Sequence, residues 1–242
     1  MVVPDIPYGH LTPVTDVDLN LTNANVLFTI YAKNPKSIIF VNFKGTYTVF
    51  NSDNTTSVKI AIKIANSYTI VNDTLFVFEN NTSIKYELER EPPQYKVWAF
   101  ADWLGFNMTF PSNNYTTLTV QFNSIIDTSD LKFVDFSYDV ESASLWAGNI
   151  SETVEYIVFG KEPTSYTQVG GHSSDFSLLI QEDYTSYKWK WTNERIDESF
   201  VGIAYSTSKV LRLVFPIASS FLIYVVVIIN IVRKLKKKTL IR

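Results

Sequence analysis

The stretch Leu213–Val232, LVFPIASSFLIYVVVIINIV, carries no charged side chain. A run of about 20 apolar residues, rising roughly 1.5 Å each, spans a bilayer core of about 30 Å. Soluble helices of that length normally keep a polar face. The sequence therefore predicts a single membrane-spanning helix over 210–232. Arg233, Lys234, Lys236, Lys237, Lys238 and Arg242 follow, with no acid among them. Cationic flanks stay on the cytoplasmic side. This places the tail 233–242 inside a plasma membrane, where its bases can meet anionic lipid, and the N-terminal part outside. The remainder has the opposite charge. Of 21 bases, six lie in the tail; the other 15 face 24 acids, a net charge of −9. Such an acidic exterior is a poor partner for nucleic acid.

Asn-X-Ser/Thr acceptors support an exported domain. They stand at Asn20, Asn54, Asn72, Asn80, Asn81, Asn107, Asn114 and Asn149, all before the apolar run. Most fall in turn-rich segments such as NSDNTTS and ENNTS, where N-glycosylation acceptors belong. The chain has no cysteine, so disulfides, thiolate metal sites and cysteine nucleophiles are excluded. Sequons without disulfides resemble, in style rather than as a family, the surface proteins of archaea more than animal ectodomains. One feature points the other way: the start, MVVPDIP, has neither a basic n-region nor an apolar h-region. A tail-anchored protein facing the cytosol is the alternative topology.

Between lead-in and anchor the hydrophobic period is two. Residues 1–13 read as extended. In VKIAIKI, Ile60, Ile62 and Ile64 oppose Lys59 and Lys63; in SIKYELER, Ile84, Tyr86 and Leu88 oppose Lys85, Glu87 and Glu89. Such alternation marks half-buried strands. Similar strands are expected at 26–31, 38–50, 74–78, 95–110, 116–122, 132–140, 153–159, 175–182, 185–191 and 199–205. The expected class is all-β, with one or two antiparallel, immunoglobulin-like β-sandwich units ahead of the single helix. The polar, acidic stretch NSIIDTSDL suggests a division into a first sandwich over 14–123, a linker over 124–131 and a second sandwich over 132–207.

No catalytic set emerges, and the chain reads as a non-enzyme. Only His10 and His172 could act as imidazole bases, and no HExxH, GxSxG or phosphate-loop pattern is present. The loop GGHSSD around His172 is the weak remaining candidate for a hydrolase. No cofactor is expected. Calcium at Asp16, Asp18, Asp127, Asp130 and Asp135 is a minor alternative, because no complete oxygen cage is spelled out. Tyr187, Trp189 and Trp191 share one strand face, opposite Lys188 and Lys190; the lysine face is the wet one, which makes the aromatics core rather than a recognition strip. On the predicted helix, Ser219 and Asn230 lie about 20° apart on the wheel and Pro216 about 60° from Ser219. That small, polar stripe suits a helix–helix partner. The expected function is a glycosylated surface protein for structure, adhesion or binding. The alternative is an accessory subunit that shields or positions a larger membrane complex.

Overall fold

The computed structural model describes residues 7–8, 11–13, 18–65, 69–71, 74–90, 101–129, 131, 133–140, 146–170, 175–196 and 199–206. The predicted helix over 210–232, with Pro216, Ser219 and Asn230, and the basic tail lie outside these residues. So do Asn72, His10, His172, Asp16 and Asp130. Among the described residues no helix is long and apolar enough to cross a membrane.

Among the described residues the architecture is all-β, in three sheets. The long sheet contains β3 (Leu19–Asn34), β4 (Ile38–Asn51), β6 (Thr69–Ile70), β7 (Phe76–Glu79), β8 (Thr82–Ser83), β11 (Asn114–Asp127), β13 (Ile150–Gly160), β15 (Asp175–Ile180) and β16 (Tyr184–Glu194). Its order is β15-β16-β13-β3-β4-β11-β7-β8, with β6 also pairing β11. A second sheet runs β1-β12-β17-β14, from Pro7–Tyr8, Phe133–Asp139, Ser199–Ser206 and Ser165–Gly170. A third runs β2-β5-β10-β9, from Leu11–Pro13, Thr56–Ala65, Ala101–Phe110 and Glu87–Arg90.

The period-two pattern explains the layers. Along β3, Ala24, Phe28 and Ile30 are buried, and Tyr47, Phe43 and Val41 of β4 match them across the ladder. Phe136 and Tyr138 from the second sheet and Ile60, Ile62, Leu104 and Phe106 from the third join the same hydrophobic cluster. Phe28 makes the central contact: it stacks on Tyr156 of β13 at 4.6 Å and meets Phe43 and Tyr138 edge-on. Tyr156 then donates a buried hydrogen bond to Val201 O of the second sheet.

The structure departs from the sequence expectation in three places. Residues 124–127, expected as linker, are the end of β11 and pair with β4 through Asp127. Strands from both sides of that stretch share one sheet and one core, because β13 pairs with β3 in parallel over Ser151–Gly160 and Asn23–Ala32. The pairing is therefore not wholly antiparallel; β1 and β12 are also parallel. Finally, Lys85 and Tyr86 lie outside any strand and are exposed; the alternation of SIKYELER leads only into the short β9. An immunoglobulin-like unit holds seven to nine strands in two sheets, fewer than are layered here.

Candidate recognition surfaces

Tyr187, Trp189 and Trp191 point inward and are buried, as expected of core residues. A row of exposed and half-buried aromatics lies on the opposite face of the long sheet, and its members come from different strands. Tyr184 (β16) pairs with Phe159 (β13), Phe159 with Tyr31 (β3), Tyr31 with Phe40 (β4), and Phe40 with Ile125 (β11). The result is a row that crosses five neighbouring strands. Tyr31 stacks on Phe159 with ring centres 5.1 Å apart, and Phe159 lies 5.7 Å from Tyr184. Tyr31 and Phe40 are half exposed, at 49% and 50%.

The adjacent row on the same face is Ser186, Ile157, Thr29, Asn42 and Asn123. Asn42 donates through Nδ2 to Asn123 Oδ1, which fixes two amides beside the aromatics. A trough of about 620 Å³ lies between, lined by Thr29, Tyr31, Phe40, Asn42, Val71 and Asn123. Neither row contains a charged residue. The ion pair of Lys188 Nζ with Glu155 Oε2, at 3.5 Å, belongs to the next row. The trough thus combines ring faces and edges, amides and a hydroxyl, and no charge.

A second opening of about 450 Å³ lies between β14 and β15, lined by Thr164, Tyr166, Leu178, Ile180, Thr185 and Tyr187. Tyr166 stacks on Phe176 at 5.1 Å, and Phe176 lies 5.0 Å from Trp189.

One buried acid went unnoticed in the sequence. Glu152 occupies an inward position of β13, between Ile150 and Val154, and is 2% exposed. Tyr138 hydrogen-bonds both Glu152 and Tyr47. Burial pushes the Glu152 carboxyl up to about 8, the hydrogen bond from Tyr138 pulls it partly back, and the charge of Asp139 pushes it further up. Glu152 is therefore mainly protonated at neutral pH, as a buried carboxyl without a cation should be. The alternation Ile-Ser-Glu-Thr-Val-Glu-Tyr, with Glu152 in phase with Ile150 and Val154, carried the signal.

Among the sequon asparagines, Asn54, Asn80, Asn81, Asn107, Asn114 and Asn149 are exposed. Asn80 and Asn81 hold positive φ in the β7–β8 turn. Asn20 differs: it is half-buried, with a buried Oδ1, and packs so tightly on the 146–149 turn that a Cβ on Gly148 would lie 2.9 Å from its Nδ2. Asp18 and Asp127 are exposed and Asp135 is half-buried on β12; Asp127 accepts a hydrogen bond from Ser129 N, which lowers its pKa. Among the described residues no group of three or more His, Asp or Glu is placed to hold a metal ion.

No protein-family model matches the sequence, and no curated protein matches it. Solved structures do. A candidate nutrient binding protein from Legionella pneumophila superposes with a TM-score of 0.63 at 11% identity, covering 87% of this chain and 76% of the other. At that identity the likeness is one of fold. A candidate protease from Parabacteroides distasonis (TM-score 0.47, 11% identity) and an M1 zinc metallopeptidase from Deinococcus radiodurans (TM-score 0.42, 9%) are matched over 79% and 78% of this chain. The chain spans only 41% and 42% of those two proteins.

Proposed function

We propose that this is a membrane-anchored surface protein that acts by binding rather than catalysis, with the outer trough of the long sheet as its ligand site and a neutral saccharide as the ligand class. The observation that carries the reading is the cross-strand row Tyr184–Phe159–Tyr31–Phe40–Ile125 beside the Asn42–Asn123 amide pair. Aromatic rings offer apolar faces to sugar C–H groups, and a few fixed polar groups supply orientation. An anionic lipid headgroup would call for bases, and these rows have none.

The anchor is the 210–232 helix, with 233–242 cytoplasmic. The described part of the chain ends at Ser206, close to that helix, so the β-layers sit near the membrane. Asn54, Asn80, Asn81, Asn107, Asn114 and Asn149 carry the glycans, and Asn20, packed against Gly148, does not. The short tether also favours the second reading, an accessory subunit whose helix meets a partner through Pro216, Ser219 and Asn230.

Two measurements test this. Protease added to intact cells should degrade the β-layers; degradation only after permeabilisation means that they face the cytosol. On a glycan array, the purified full chain should retain neutral oligosaccharides, and Tyr31→Ala with Phe40→Ala should abolish retention. Equal binding by the double variant removes the trough from consideration.

A further inference from the structure

Sheet edges expose unpaired backbone N–H and C=O groups, and proteins blunt them with short strands, charges, proline or bulges. Most edges here are treated that way. β8 and β1 are two residues long, β9 is Glu-Leu-Glu-Arg, and β2 ends in Pro13. The edge strand β14 is largely polar, Ser-Tyr-Thr-Gln-Val-Gly. β15 is not blunted. It reads Asp-Phe-Ser-Leu-Leu-Ile, pairs with β16 on one side without a register shift, and has no strand on its other side among the described residues. All six residues are exposed, Phe176 at 38%, Leu178 at 44%, Leu179 at 48% and Ile180 at 65%.

The strand is also self-complementary. In an antiparallel pair, opposed side chains must lie on the same face. A two-fold axis through Leu178 meets that condition. Leu178 then faces its own copy and Phe176 faces Ile180 on the inner side, while Ser177 faces Leu179 and Asp175 faces Gln181 on the outer side. No like charges meet, and the most exposed side chain of the strand is covered. The second copy's Ile180, Leu178 and Phe176 also extend the apolar wall beside Tyr166, over the opening between β14 and β15.

We propose that β15 is a homophilic pairing edge, where the long sheets of two copies join antiparallel about Leu178. The direction of the pairing has a consequence. β15 runs toward the end of the molecule where β13 finishes at Gly160, because Ile180 pairs with Thr185 and Phe159 with Tyr184. The chain leaves β17 at that same end: Ala204 accepts a hydrogen bond from Thr164 N in the loop after β13. Antiparallel joining therefore points the two Ser206 ends in opposite directions. Given the membrane-anchored reading, two such copies sit on opposing surfaces rather than side by side on one.

The absence of native cysteine makes a clean test possible. Full-length Leu178→Cys protein, carrying either of two tags, is reconstituted into two vesicle populations that are mixed under mild oxidation. The expected product is a disulfide-linked dimer bearing both tags, absent from Lys44→Cys and lost when Ile180→Lys is added to Leu178→Cys. Thermal melting of Leu178→Cys and of its Ile180→Lys derivative verifies that both are folded. Failure of folded Leu178→Cys to cross-link in mild detergent as well as between vesicles overturns the pairing. Cross-linking only within one vesicle population, or in detergent but never between vesicles, overturns the opposed orientation. The protease test on intact cells reads the anchor independently, so the two failures remain distinct.

Discussion

The two faces of the long sheet use the same residue types for opposite purposes. On the inner face Tyr187, Trp189 and Trp191 follow one another along β16 and are 5% exposed or less. On the outer face Tyr184, Phe159, Tyr31 and Phe40 follow one another across four strands, and two of them are half exposed. Aromatic character does not separate core from surface here; strand phase does. Moving any of these strands by one residue would exchange the two sets.

The sharpest way to break this comparison is to truncate one ring from each set. Trp191→Ala should cost about 3–5 kcal/mol, the range for large aromatic truncations in a core, and lower Tm accordingly. An inner-face ring that can be removed without cost would mean that this face is not packed as described.

Next in size is the pH response of the inner face. Between pH 4.5, the ordinary glutamate value, and about 8, the folded chain holds a proton on Glu152 that the unfolded chain has released. Stability from this group is thus complete below pH 4.5 and declines by up to ~1.4 kcal/mol per pH unit as pH rises toward 8. Glu152→Gln, which stays neutral, should flatten that decline in denaturant titrations at pH 5, 6.5 and 8. A slope equal to that of the natural sequence would show that Glu152 is charged or solvated.

A subtler inner-face change is Gly45→Ala. A Cβ at Gly45 would lie 2.5 Å from Tyr47 Oη, so the fully buried Tyr47 ring, which is hydrogen-bonded to Tyr138, must shift. Overpacking of this kind costs about 1–3 kcal/mol, and unfolding of the variant should show it. The outer face should respond least: Tyr31→Ala and Phe40→Ala are expected to shift stability by about 0.5 kcal/mol or less, as surface changes do. A larger loss from either would place these rings in the core.

Strand character was legible because alternation is local. Ile60 and Ile62, or Val154, Tyr156 and Val158, declare their inward face within a few residues. Even the burial of Trp189 and Trp191 could be read from the lysines between them. The outer row could not be read, since Tyr31, Phe40, Phe159 and Tyr184 each stand alone in their own strands and become neighbours only through register. The expected break at 124–131 failed for a related reason: Asp127 and Ser129 look like linker residues, but Ile126 is buried and Thr128 donates through Oγ1 to Pro35 O, tying the segment to the β3–β4 turn.

The parallel seam between β3 and β13 sets a timetable for the chain. β3 lies near the start, and its partner begins at Ile150. During synthesis β3 can pair on its β4 side at once, while its other side waits for more than half of the chain to appear. Pairings this distant in sequence form slowly, and an unsatisfied strand edge is adhesive while it waits. Asn20 spends that interval away from Gly148, because the turn that packs on it has not yet been made. A sugar added to Asn20 then would obstruct the turn at Gly148 and hold the seam open.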